Sequence, residues 1–337
     1  MQPSMRSPGA PEMEDTDDDM LDCLIVGGGP AGLSAALYLA RFNRRFLVVD
    51  DGRARASWIP TSHNIPLFAA GIAGPDILAL QRATAERYGA RILNGTVSAL
   101  GKEPGGFRAT VVCGESESRE LRARRVLLAT GAVDNEPDMP DVPNAVQRGL
   151  VRYCPICDGY EAMNRKIAVI GFGSRGLGEA VFVARTYSRD VTLLTLGRPM
   201  ELDDDQRARL AEYAVKVVEE PITALDLDGD KIAVMRTGSG QEHRFDVLYS
   251  ALGMQVRSDL AVALGAEHDA AGALIVDDHN RTSVAGLYAA GDVVRDLSQI
   301  VVGMGHAAVA ATDIHNRCEL PTEDEPEWPT RARAECS

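Results

Sequence analysis

One pattern occurs twice in the 337 residues, and it limits the fold more than any other feature. The first copy runs Leu24-Ile25-Val26, then Gly27-Gly28-Gly29-Pro30-Ala31-Gly32, then LSAALYLARF, then Phe46-Leu47-Val48-Val49-Asp50. The second runs Ile167-Ala168-Val169-Ile170, then Gly171-Phe172-Gly173-Ser174-Arg175-Gly176, then LGEAVFVARTY, then Val191-Thr192-Leu193-Leu194-Thr195. A short apolar run without alternation reads as a strand covered on both faces. A glycine turn and an amphipathic helix follow, and a second apolar run closes a βαβ unit. The chain is long enough for about two domains. The expected fold class is α/β, with two Rossmann-like dinucleotide-binding domains.

The order of the segments predicts that the second domain is inserted in the first. Arg125–Gly131 reads as a buried strand running into a turn, and the prolines at 137, 140 and 143 suit a linker. Asp246–Gly253 closes the second unit. Gly286–Asp292 and an Ala-rich helix at 305–316 read as the first domain resuming. The expected boundaries are a disordered acidic lead-in at 1–20, a first dinucleotide-binding domain at 21–134 and 253–320, a second dinucleotide-binding-like domain carrying the cysteine pair at 135–252, and a flexible tail at 321–337.

Charge and composition narrow the partners. Net charge is −14, which disfavours phosphate backbones and anionic membranes. Aromatics make up 5% of the chain, too few for base-stacking platforms. Nucleic acid is therefore not expected. No apolar run approaches the roughly 20 residues of a membrane span, and the N-terminus lacks the apolar core of a secretory signal. The six cysteines (Cys23, Cys113, Cys154, Cys157, Cys318 and Cys336) are too sparse for a disulfide scaffold. A cytoplasmic location fits, and a close CxxC pair there is more often catalytic or metal-binding than structural.

The glycines at 27–32 permit a tight turn, close approach of backbone to a pyrophosphate, and close helix–strand packing. An acid about 20 residues on should bind a ribose hydroxyl, and Asp50 stands there. The turn at 171–176, with Gly171, Gly173, Ser174 and Arg175 as its candidate NAD(P) residues, has the same context without the acid. Thr195 occupies that position, followed by Leu196-Gly197. Arg198 is close, but it precedes Pro199.

Cys154-Pro155-Ile156-Cys157-Asp158-Gly159-Tyr160 is the third signal. Pro155 suits the first position of a helix. Backbone amides there favour a thiolate, and residues at i and i+3 share one face of a turn. Asp158 could serve as acid or base for a leaving thiolate. Half of a zinc site is the competing reading, but no second CxxC or CxxH completes it, so no metal is expected.

In order and together, these pieces resemble the low-molecular-weight thioredoxin reductases over about residues 22–318. The matching elements are GGGPAG, Asn64 with Gly71-Ile72-Ala73-Gly74-Pro75, Ala129-Thr130-Gly131, the CxxC-Asp-Gly-aromatic run and Gly291-Asp292. The resemblance implies an FAD-dependent disulfide oxidoreductase and a homodimer, with FAD in the first domain and an NAD(P)-binding-like second domain. It implies that Gly27, Gly29, Pro30, Ala31, Gly32 and Asp50 hold the ADP half of FAD, with Asn64, Thr130 and Gly131 in the same site. Gly291 and Asp292 would lie at the ribitol, and Gln299 and Ile300 would open a helix aimed at the isoalloxazine. Cys157 would lie next to the flavin, Cys154 would attack the disulfide of a thioredoxin-like protein or a small substrate, and Asp158 would be the acid.

Three departures from the family pattern bear on the electron donor. The His-Arg-Arg run that follows the second βαβ unit is replaced by Thr195-Leu196-Gly197. The usual Asn-Ser/Thr after the second glycine motif reads Ser174-Arg175. Asp51-Gly52-Arg53 replaces a glycine-rich loop, with Trp58 nearby. The first two weaken the case for NADPH and resemble members that take electrons from a ferredoxin-type donor. A branch of natural-product dithiol oxidases carries CxxC followed by histidine, so Asp158 favours the reductase direction. Other readings are a small-molecule dithiol oxidase and a flavin-based redox sensor. His306, near the start of the last helix, is read either as a flavin or substrate contact or as a partly exposed helix-start residue. Cys336 is read as a flexible tail cysteine without a role.

Overall fold

The computed structural model describes residues 20–114, 117–138, 142–228 and 231–322. The acidic lead-in up to residue 19, Pro140 and the tail from 323 with Cys336 lie outside the described residues. The chain divides into two compact units. The first is made of the described residues of Met1–Ser57, Pro75–Val133 and Val256–Ser337, and the second of Trp58–Gly74 and Asp134–Gln255.

The first unit opens with β1 (Leu21–Val26), α1 (Pro30–Arg41) and β2 (Phe46–Asp50). It continues with α2 (Gly74–Arg87), β3 (Ile92–Asn94), β4 (Thr96–Glu103), β5 (Gly106–Cys113) and β6 (Glu117–Leu128). β7 (Ala132–Asp134) leaves it.

The second unit then holds α3 (Val142–Gln147), β8 (Val151–Arg152), α4 (Pro155–Asp158), β9 (Ile167–Ile170), α5 (Gly173–Thr186) and β10 (Val191–Leu194). After these come α6 (Asp204–Glu212), β11 (Lys216–Val218), β12 (Ile222–Asp228), β13 (Lys231–Thr237), β14 (Glu242–Phe245) and β15 (Val247–Ser250). The chain returns through β16 (Met254–Val256), which pairs with β7, and ends in α7 (Asp259–Val262), β17 (Leu287–Ala289) and α8 (Ile300–Arg317).

Strands β3-β2-β1-β6-β17 of the first unit are parallel. The N-terminal half of the long β6 carries β5 and β4 antiparallel at its side. β1 is buried at every position except Asp22, which is why its sequence shows no alternation. Ala35, Ala36 and Leu39 of α1 and Ala307, Ala310, Ala311 and Ile314 of α8 cover one face of this sheet. The small residues let these two helices lie close to each other and to the strands. The last helix begins at Ile300, five residues before the Ala-rich stretch at 305–316 that marks it in the sequence.

The second unit has its own parallel sheet, β11-β10-β9-β15-β8, and an antiparallel sheet, β12-β13-β14. The two βαβ copies align residue for residue. Val26 pairs with Val49 in one and Ile170 with Leu194 in the other. Gly27 N donates to Val49 O at 2.8 Å, and Gly171 N donates to Leu194 O at 3.0 Å. Asp50 and Thr195 therefore occupy equivalent places. Among the described residues, no helix is long and apolar enough to cross a membrane.

Candidate functional site

In the first unit the glycine turn is fixed by contacts that only glycine allows. A Cβ on Gly32 would lie 1.9 Å from Gly27 O, and one on Gly27, at φ +108°, would lie 2.4 Å from Ala129 O. On Gly28 a Cβ would strike the Asp50 carboxyl, which accepts the Gly28 amide at 3.1 Å. Gly29 differs: a Cβ there would meet only Ala54, at 3.9 Å. The open side of the turn is thus at Gly29, the N-cap of α1, where no side chain takes up the first-turn amides. Uncapped amides facing open space suit a pyrophosphate.

The other FAD candidates of this unit gather around that turn. Gly291, at φ +80°, sits so close that a Cβ would be 3.0 Å from Ala31 Cβ, and Gly303 of α8 packs on Gly291. The starts of α1 and α8, with Gln299 as the N-cap and Ile300 as the first residue of α8, are therefore neighbours. Thr130 follows Ala129 beside Gly27, and its Oγ1 donates to Arg257 O at 2.6 Å, while Gly131 O accepts from Arg257 N at 3.0 Å. Asn64 belongs to the 58–74 segment of the second unit, where its Oδ1 accepts from Ser62 Oγ at 2.9 Å.

Two arginines that the sequence reading did not single out pair with the acids expected to bind FAD. Arg82 Nη2 donates to Asp50 Oδ2 at 2.8 Å, and Arg55 Nη1 lies 3.1 Å from Asp292 Oδ2. Asp50 also accepts from Gly52 N at 3.2 Å. A carboxylate this buried needs such partners. His306 pairs through Nε2 with Asp296 Oδ2 at 3.1 Å.

In the second unit, β8 delivers the cysteine pair. Cys154 is extended (φ −144°, ψ 93°) and caps the single turn α4, with Pro155 at its first position. Pro155 needs no amide there, and its ring fixes φ for the turn. Cys154 and Cys157 are joined as a disulfide with Cα atoms 5.3 Å apart. Gly159 follows because a Cβ would lie 2.2 Å from the Tyr187 ring and 2.4 Å from Pro155 O. The Asp-Gly step after the pair is thus a packing requirement as well as a chemical one.

Asp158 is the polar centre of this site. Tyr249 Oη donates to its Oδ1 at 2.8 Å. Arg152 Nη1 donates to its backbone oxygen at 2.7 Å and stands 3.7 Å from its Oδ2. Burial pushes the Asp158 carboxyl above the usual carboxylate range; the Arg152 charge and the Tyr249 hydrogen bond lower it in part, and Glu161 adds to the rise. The group therefore keeps a proton to higher pH than a free aspartate, as an acid for thiol chemistry must. Arg152 lies two residues before Cys154 and could have been noticed in the sequence. Tyr249, 91 positions from Asp158, carries no signal there.

The other three described cysteines are remote from this chemistry by environment. Cys23 and Cys318 are buried and Cys113 is partly buried. Burial pushes the Cys23 and Cys318 thiols up, so neither is a ready thiolate.

The glycine turn of the second unit has the fold of the first and is also open at its third position, where a Cβ on Gly173 would meet nothing within 4 Å. Gly173 N, equivalent to Gly29 N, donates to Met200 Sδ at 3.2 Å. Met200 is tied in turn by its amide to Glu219 at 2.6 Å. The Arg198 guanidinium lies over the Phe172 ring at 3.9 Å, directly beside the turn. Thr195 is fully buried and its hydroxyl has no hydrogen-bond partner, where Asp50 of the first unit binds the turn. Arg175 lies beside Gly253, whose Cβ would be 3.5 Å from its Nε. The second turn thus keeps an open helix start but has Thr195 in place of an acid for a ribose diol and no arginine at 196–197, so it offers NADPH fewer specific partners than the first turn offers FAD.

Comparison with known proteins agrees with this architecture. The family model for pyridine nucleotide-disulphide oxidoreductases matches residues 21–312. A thioredoxin reductase of Treponema pallidum is 31% identical over 306 residues, covering 86% of this chain and 94% of its own. Thioredoxin reductase from Streptococcus pyogenes superposes with a TM-score of 0.79 at 27% identity, over 88% of this chain and 97% of its own. The structure of HlmI gives the same TM-score at 30% identity, over 89% and 93%. The family match over nearly the whole described chain, together with the Cys154–Cys157 pair, makes this chain a member of the pyridine nucleotide-disulphide oxidoreductase family and an FAD-dependent disulfide oxidoreductase.

Proposed function

We propose that the protein reduces the disulfide of a thioredoxin-like protein through Cys154 and Cys157, and that its electrons come from a donor other than NADPH bound in the second unit. The observation that carries the reading is the cysteine pair on α4 beside Asp158, whose carboxyl burial pushes above the usual carboxylate range. Gly27, Gly29, Pro30, Ala31 and Gly32 hold the FAD pyrophosphate, with Asp50 bracing the turn. Thr130, Gly131, Gly291, Asp292, Gln299 and Ile300 line the rest, and Asn64 is assigned by family likeness. In this reading residues 21–134 and 253–320 form the FAD-binding domain and 135–252 the inserted domain, although residues 58–74 cluster with the second unit. The assembly is a homodimer, and a reducing compartment, the cytoplasm, suits an open and closing CxxC pair.

FAD, when bound, supplies the two-electron couple that opens the Cys154–Cys157 disulfide to a dithiol. Cys154 Sγ then attacks one sulfur of the partner disulfide, and the partner's other sulfur leaves with a proton from Asp158. Cys157 attacks Cys154 Sγ, re-forms the internal disulfide and releases the second partner sulfur. The partner gains the two electrons that the cysteine pair gives up.

A second reading, oxidation of a small dithiol by the same pair run backwards, is favoured by the lack of a ribose-binding acid at Thr195 of the second turn. One experiment separates them. The yellow protein is titrated anaerobically with NADPH, NADH and a reduced ferredoxin, and separately mixed in air with small dithiols. Bleaching by ferredoxin alone supports the proposal. Rapid bleaching by NADPH would overturn its donor clause. Steady peroxide formation from dithiols, with no donor able to bleach the flavin, would replace it with the oxidase.

A further inference from the structure

The environment of Asp158 is built from residues that neither the motif nor the family likeness points to. Four groups surround its carboxyl. Tyr249 comes from β15, Arg152 from β8, Glu161 from the turn after α4, and the Tyr187 ring from the end of α5. Tyr249 is fully buried, and its hydroxyl donates to Oδ1 at 2.8 Å. Arg152 is held in place by its own bond, Nε to Gly149 O at 2.9 Å, and it clamps the Asp158 backbone oxygen.

We propose that Tyr249 and Arg152 are positioning residues for the disulfide chemistry, holding Asp158 so that Oδ2 is the one oxygen left to carry and release the proton of thiol exchange. The inference rests on the acid role given to Asp158 above. Its physical basis is the directionality of the two donors. A neutral carboxyl has one hydroxyl and one carbonyl oxygen, and Tyr249 fixes Oδ1 as the accepting, carbonyl oxygen. The proton therefore resides on Oδ2. Arg152 grips the main chain of the same residue, so the carboxyl cannot swing away when its proton leaves. On release, the new carboxylate keeps the Tyr249 hydrogen bond and gains the Arg152 charge nearby. These two contacts favour the ionised form and oppose the effect of burial.

In the exchange step Cys154 Sγ forms a bond to one partner sulfur, the partner S–S bond breaks, and the departing sulfur takes the Oδ2 proton. No oxidant or reductant beyond the dithiol and the partner disulfide is required. The need for the acid depends on the leaving sulfur. A thiol that is acidic by itself departs as thiolate, whereas an alkyl thiol of ordinary basicity gains from protonation.

That difference supplies the test. The full-length holoprotein is reduced with dithiothreitol and freed of it anaerobically. A single turnover is then followed against pH with two disulfides: bis(2-hydroxyethyl) disulfide, whose leaving thiol is basic, and 5,5′-dithiobis(2-nitrobenzoate), whose leaving thiol is acidic. The readout is the ratio of the two rates, which cancels changes in Cys154 itself. In the parent protein the ratio falls as pH rises and Asp158 loses its proton. Asp158→Asn is expected to lower the ratio by about 100-fold and flatten its pH dependence. Tyr249→Phe, which keeps the buried ring and removes one hydrogen bond to the carboxylate, is expected to move the fall to higher pH. In the Asp158→Asn background, Tyr249→Phe is expected to change nothing further.

If Tyr249→Phe leaves the fall where it was while Asp158→Asn abolishes it, the acid stands and the positioning role is wrong. If Tyr249→Phe acts equally in both backgrounds, it works through general packing, and the proposal is again overturned. A normal ratio in Asp158→Asn removes the acid role itself and the inference with it. Arg152→Lys, which retains the charge and loses the fork that reaches both Gly149 O and Asp158 O, is expected to lower the ratio without moving the pH of its fall. A shifted fall in that variant, as from lost charge, would argue against the backbone clamp.

Discussion

Glu179 offers a quantitative test of how the second unit is built. It lies on α5, largely buried, and its Oε1 has no hydrogen-bond partner. Burial raises the carboxyl from 4.5 to about 7, and the Arg175 charge one turn earlier offsets only part of that. The sign follows from proton binding. Between pH 4.5 and 7 the folded protein holds a proton that the unfolded chain has lost, so stability declines across that window and is lowest above it. A rise from 4.5 to about 7, at about 1.4 kcal/mol per pH unit, comes to roughly 3 kcal/mol. Glu179→Gln removes the ionisation and keeps the shape. The variant should match the parent near pH 4.5 and exceed it by up to about 3 kcal/mol at pH 8. Urea denaturation at several pH values, read from the midpoint of the transition of the second unit, measures the difference. A variant less stable than the parent at pH 8, or a difference that does not vary with pH, would falsify the assignment of Glu179 as a buried acid under strain from its surroundings.

Three further outcomes follow from the geometry. Cys154→Ser should leave the protein yellow, because the glycine turn proposed to hold FAD is in the other unit, yet abolish turnover of a disulfide substrate; full turnover by insulin or thioredoxin reduction assays would sink the exchange scheme. Gly32→Ala places a Cβ 1.9 Å from Gly27 O, so the turn must break, and the purified protein should be colourless in visible absorbance. Retained FAD in that variant would mean that the turn is not the cofactor cradle. Arg125→Ala removes a fully buried guanidinium whose Nη2 serves Arg317 O and Leu320 O, both at 2.9 Å, at the end of α8. With Leu320 O losing this donor, Arg317 O keeping only the Leu320 amide, and a cavity formed, a loss of about 2–4 kcal/mol is expected by thermal or chemical denaturation; a loss below about 0.5 kcal/mol would show that water replaces the side chain freely.

The sequence by itself determined the parts that are local and periodic. Unbroken apolar runs announced β1, β2, β9 and β10, since strands covered on both faces have no polar side to show. Glycine spacing announced the turns, because at Gly27 and Gly32 no other residue fits the backbone contacts. Pro155 and the three-residue spacing announced the single turn that carries the disulfide. The missing acid at Thr195 was also legible, since strand register alone makes it the counterpart of Asp50.

Only the tertiary structure decided what faces each of these groups. Arg82 and Arg55 reach Asp50 and Asp292 across 32 and 237 positions, and Tyr249 reaches Asp158 across 91. Met200 reaches the Gly173 amide of the second turn from 27 positions away. Side-chain partners at such separations are set by how strands and helices stack, and no local pattern encodes that stacking. The raised proton affinity of Asp158 belongs to the same class. A carboxyl's proton affinity depends on burial and on the charges brought beside it, and both exist only once the chain has folded.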